Sequence, residues 1–173
     1  MSKERLHNLI ERLEGEALAT AEAQIEKLVP PAVKITFGRH LKNDFTKHGY
    51  KLVSIGTELP KGETKLDAIP VLKDGEEPTS GKEMLKRAVS LKVINQYDAE
   101  DLCDHLNGEE GKQASEDLKG KYYPTTTVYE SASDPRERYV PLLYWYDGRW
   151  VMRLGGLSDP WGADGLLLVP RKA

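Results

Sequence analysis

The chain has 173 residues, of which 39% are hydrophobic and 31% charged, with a formal net charge of −3. That balance describes a folded, highly charged domain and excludes a disordered polyelectrolyte or a globally basic, nucleic-acid-coating chain. Cys103 is the sole cysteine, which excludes an intrachain disulfide framework, and no stretch approaches the roughly 20 apolar residues that span a bilayer.

The N-terminal stretch MSKERLHNLIERLEGE is charged throughout and lacks a signal-type apolar segment, so the expected compartment is the cytoplasm. Residues 3–29 read as one long helix. Leu6, Ile10, Leu13, Ala17, Ala21, Ile25 and Leu28 step by three or four and form a stripe, and Pro30-Pro31 stops it. Such a helix is roughly 40 Å long, enough to cover a sheet or to pair with a second copy in a homodimer.

Val33–Phe37 and Tyr50–Ile55 read as short strands, separated by a helical turn that places Leu41 and Phe45 on one face. Ala68–Leu72 reads as an edge strand limited by Pro70. Ser80 with Glu83 forms a capping-box pattern ahead of a helix carrying Met84, Leu85, Ala88 and Val89 on one side. Asp98 is the expected N-cap of a further helix with the stripe Ala99, Leu102, Cys103, Leu106. Residues 108–120 are acidic and glycine-containing and read as an internal linker. The chain then counts as a single domain with a soft division there, α-rich over 1–107 and β-rich over 121–173.

The β-rich part opens with KYYPTTTVYE, read as one strand. The next element is the best specified in the chain. YVPLLYWY, then Asp147-Gly148, then RWVMRL predicts a hairpin with a two-residue type I′ turn. That turn fixes the register, so Tyr146 faces Arg149, Trp145 faces Trp150 and Leu143 faces Met152. Leu143, Trp145, Trp150, Met152 and Leu154 then share a core face. Leu142, Tyr144, Tyr146, Arg149, Val151 and Arg153 share the other. GGLSDPWGADG follows as an irregular loop presenting Trp161, and Leu166–Val169 reads as a last strand. The expected fold is α+β: a long N-terminal helix and a helical middle packed with an antiparallel C-terminal meander.

Three functional readings follow. Tyr and Arg are the residue types enriched where proteins touch one another. Tyr144, Tyr146, Arg149, Arg153 and Trp161 therefore predict a non-catalytic protein–protein binding surface, of an adaptor, inhibitor or assembly factor. The second reading is single-stranded nucleic-acid binding by the basic segment 34–51 together with the Tyr/Arg sheet face. Lys34, Arg39, Lys42, Lys47 and Lys51, with Phe37, Phe45 and Tyr50 between them, have the composition of a backbone-tracking, base-stacking stretch. The third is a metal-dependent hydrolase built on His40, Asp44 and His48, whose i, i+4, i+8 spacing stacks them on one helix face. No phosphate-binding glycine loop and no nucleophile elbow occurs, and no cofactor is called for. Cys103 sits in an apolar stripe among carboxylates, a setting that keeps a thiol protonated.

Overall fold

The computed structural model describes residues 33–35, 41–59 and 62–171. The expected helix over 3–29, with its dimer reading, lies outside them. The described residues form a mixed α+β fold whose strands pair almost entirely antiparallel.

The hairpin organises it. Strand β8 (Arg138–Tyr146) and strand β9 (Arg149–Gly156) pair in the expected register, from Tyr146 opposite Arg149 down to Tyr139 opposite Gly156. Asp147 and Gly148 take φ values of 48° and 78°. Both central residues are thus left-handed, as a turn matching the strand twist requires. On the other side of β8 lie two short strands end to end, β6 (Tyr122–Pro124) and β7 (Val128–Ser131). The stretch read as one strand is broken at Thr125–Thr127, where Thr126 N instead donates to Ile94 O at 3.0 Å. Strand β2 (Tyr50–Ser54) adds to β7, with a bulge at Val53 between Leu52 and Ser54.

Of the remaining strands, β4 (Leu66–Pro70) and β11 (Leu166–Pro170) form a ribbon linking the two halves of the sequence. It joins β6 through a parallel bridge from Tyr122 to Gly165. The last strand therefore pairs with β4 rather than extending the meander. Two small ribbons complete the set: β1 (Val33–Ile35) with β3 (Gly62–Thr64), and β5 (Thr79–Ser80) with β10 (Pro160–Trp161).

Helix α1 (Gly81–Ser90) begins where expected, its Ser80 Oγ accepting from Glu83 N. Met84 and Ala88 are buried, whereas Val89 is exposed. Helix α2 (Gln96–Asn107) starts ahead of the predicted cap. Asn95 is the N-cap, and Asp98 is the reciprocating N3 residue of the capping box. The expected linker instead carries a 3-10 turn, Glu109–Gly111, and helix α3 (Lys112–Leu118), whose Ser115 and Leu118 are buried. α2 and α3 cover the core face of the hairpin. Trp150 is 1% exposed, its Nε1 donating to Ser115 Oγ at 2.7 Å, and Tyr123 packs 6.0 Å from it with its Oη donating to Leu118 O.

The segment 41–48 is tied down by one carboxylate. Glu100, on α2, accepts from Lys42 N, Asn43 N, Asn43 Nδ2 and Gln96 Nε2. Gln96 extends the network by accepting from Tyr129 Oη at 2.8 Å and donating to Asn43 O. The result is a buried polar seam with its charges hydrogen-bonded, the condition under which such groups are tolerated.

Candidate functional site

Side chains along β8 and β9 divide as their alternation dictates. Leu143 and Trp150 are buried, and Trp145 and Met152 half-buried. On the other face Tyr146 is 61% exposed, Arg149 and Arg153 are exposed, and Tyr144 is half-buried. The Tyr144 and Tyr146 rings stand 6.0 Å apart, and Arg153 Nη1 donates to Tyr144 Oη at 3.4 Å. Neither arginine has a carboxylate within ion-pair distance among the described residues. The four residues thus share one side of a ribbon that is stiffened from behind. Trp145 meets Trp150 edge-on at 5.9 Å, and Lys119 Nζ lies 4.0 Å over the Trp145 ring.

Trp161 is not the surface aromatic that the sequence suggested. It is 4% exposed. Its ring meets Tyr122 edge-on at 5.4 Å, and its Nε1 donates to Gly156 O at 3.1 Å. Gly155 makes this seat: a Cβ there would come within 2.6 Å of Leu142 Cδ2 and 3.1 Å of the indole. Tyr122 Oη accepts from Gly162 N and donates to Gly162 O, closing the loop over the indole, and burial pushes the phenol's pKa up.

Trp161 still belongs to the site, as a wall. A cleft of about 370 Å³ opens between it and the hairpin, lined by Tyr122, Leu142, Tyr144, Arg153 and Asp159. The aromatic–arginine face therefore runs from an exposed end at Tyr146 and Arg149 into a recess holding both a cation and an anion. Leu142 is on the face to which alternation assigned it, whereas the sequence did not assign Tyr122 or Asp159 to that face. Tyr122 sits here because it pairs with Tyr144 across β6 and β8, a pairing no local turn specifies.

The described part of the basic segment does not join this surface. Tyr50 packs on Tyr139 and Phe45 on Tyr129, and the β7–β8 register puts those tyrosines on the opposite side of the sheet from Tyr144. Lys42 is engaged by Asp104, and Lys47 lies 3.7 Å from Asp44. Lys51 is exposed on β2, Lys34 falls on β1, and Arg39 lies outside the described residues.

The metal reading needed a helix through residues 40–48, and only a 3-10 turn, Phe45–His48, is present. Asp44 caps that turn, accepting from Thr46 N and Thr46 Oγ1, which holds its carboxyl below the usual range. His48 is exposed, and His40 lies outside the described residues. No group of three or more metal-ligating side chains occurs among the described residues. No helix among them is long and apolar enough to cross a membrane. No family model, curated protein or solved structure matches the chain.

Proposed function

We propose that the protein is a non-catalytic binding protein, and that the tyrosine–arginine face of its hairpin receives a protein partner. The observation that carries this reading is the shared exposure of Tyr146, Arg149 and Arg153 on a tryptophan-backed ribbon beside a cleft. Aromatic side chains lose little conformational freedom on binding, and aromatic and arginine residues dominate contact energies where they are enriched. The cleft supplies what an exposed ribbon lacks, a recess in which one partner side chain is desolvated. Arg153 at its lip suits a carboxylate, and Leu142 and Trp161 suit an apolar group. The roles that fit are those of an adaptor, an inhibitor or an assembly factor.

Tyr146→Ala and Arg149→Ala test the reading. Both positions are exposed, so each variant should melt within a few degrees of the parent. Immobilised parent protein should retain a partner from a lysate of its native host that both variants fail to retain. Equal recovery by parent and variants would overturn the proposal.

A further inference from the structure

We propose a second site, independent of the tyrosine–arginine face: the groove between α1 and the sheet takes a single-chain amphiphilic carboxylate, a free fatty acid drawn from solution. The groove encloses about 480 Å³, within the range of small-molecule sites. Its apolar wall is Val53, Leu85, Val89 and Val128, and its cations are Lys82, Arg136 and Arg138.

These groups are sorted along the groove. Gly81 lies against Leu157, where an added Cβ would meet Leu157 Cα at 2.6 Å. Leu157 N in turn donates to Arg138 O at 2.8 Å. The first turn of α1, with Lys82, is thereby held at the Arg138 end. Val89 lies two helical turns further on, roughly 10 Å along the axis. There the chain leaving α1 meets Thr126, whose Oγ1 donates to Val93 O. The cations thus cluster at one end of the groove, and Val89 marks the other.

Two features of the groove suit a ligand that is anionic at one end and apolar at the other. Lys82 and Arg138 have no carboxylate within ion-pair distance among the described residues, whereas Arg136 beside them is held by Asp134 at 2.8 Å. Val53 and Val89 are 44% and 53% exposed, two of the few large hydrophobics left in water among the described residues. Val53 is the extra residue of the β2 bulge, a device that re-aims a side chain out of its strand's alternation. An anionic head between Lys82 and Arg138 with an aliphatic tail over Val53, Leu85 and Val89 satisfies both features at once. A volume of this size seats one medium-length chain, which favours a free acid over a two-chain membrane lipid.

Titration calorimetry with octanoate, decanoate and decanol, all kept below micelle-forming concentration, tests the proposal. Decanoate should bind at one saturable site, about fifteenfold tighter than octanoate, since each of the two extra methylenes is worth roughly fourfold, and tighter than decanol. The doubly substituted K82E/R138E protein should lose at least tenfold in decanoate affinity, and Val89→Asp should do the same from the apolar end. Both should keep the parent melting curve. Tyr146→Ala should bind decanoate as the parent does, which separates this site from the partner face. Equal affinity for the two acids, unchanged binding in K82E/R138E, or binding to anionic phospholipid vesicles without binding of free decanoate would overturn it.

Discussion

The side-chain amide of Asn107 grips both main-chain groups of Trp150, accepting from its N–H at 2.8 Å and donating to its C=O at 3.0 Å. In the hairpin register these groups point away from β8, so the amide supplies the bonds that a neighbouring strand would make. Asn107→Ala removes both partners. It should cost about 1–2 kcal/mol, a fall of several degrees in melting temperature, and should speed hydrogen exchange at the Trp150 amide. Asn107→Asp keeps the acceptor and loses the donor, and should fall between the two.

Gly155 and Gly148 are both hairpin glycines with different reasons to be glycine. Gly148 needs its positive φ, and an added Cβ there meets open space. Gly148→Ala should cost about 1–2 kcal/mol without moving a tryptophan signal. Gly155→Ala drives a methyl into Leu142 and the Trp161 ring. It should cost about 1–3 kcal/mol and shift tryptophan emission to the red as the indole is lifted into water. Equal spectra for the two variants would contradict the seat described for Trp161.

Glu76 anchors the loop before α1. Arg87 Nη1 donates to its Oε2 at 2.7 Å and Lys73 N donates to the same oxygen. The Arg87 hydrogen bonds, then the Lys73 N–H, hold the carboxyl at about 2, below its ordinary 4.5. A folded-state value below the unfolded one stabilises the protein in full above pH 4.5, and that stabilisation is lost as pH falls towards 2. Glu76→Gln should therefore flatten the acid limb of the stability curve between those limits and leave its slope at neutral pH unchanged, as read by urea melts across pH.

Cys103 is half-buried on α2, its Sγ 3.4 Å from Trp150 O. Burial first, then the Glu100 charge, pushes the thiol up to about 11. Only a minute thiolate fraction is present at neutral pH, and thiolate is the reactive form. Iodoacetamide at pH 7.5 should label the native protein far more slowly than the urea-unfolded chain. Comparable rates would show that the α2–β9 contact opens readily.

Glu100 is the single acceptor for the Lys42 and Asn43 amides. Glu100→Ala should cost about 2–4 kcal/mol, since bonds to a charged acceptor are the stronger kind and two amides lose their partner. Limited proteolysis should then cut within residues 41–48, where the parent resists.

The hairpin was legible because everything that fixes it is local. Asp147-Gly148 sets the turn, the turn sets the register, and period-two alternation sorts the faces. Helix α1 was legible from Ser80 and Glu83 for the same reason. What was not legible depends on distant partners. Trp161 reads as a loop aromatic until Gly155 and Tyr122 are placed beneath and beside it. KYYPTTTVYE reads as one strand, yet Pro124 has no N–H to give and Thr126 turns its own to Ile94. The acidic run before Lys121 reads as a linker, and Ser115 and Leu118 become core only because Trp150 and Tyr123 reach them. Asp98 was read as the cap because it suits one alone, whereas Asn95 and Asp98 divide the task between them.

The β4–β11 ribbon has a consequence for biogenesis. It sets Ala68 beside Leu168 and Asp67 beside Val169, so β4 waits, its ladder unmet, until the hundred residues that separate Ala68 from Leu168 have been made. Distant pairing of this kind slows folding and leaves a sticky edge bare in the interval. Protease resistance should accordingly appear in one late step, once β11 is free to pair with β4, rather than by stages as each segment emerges.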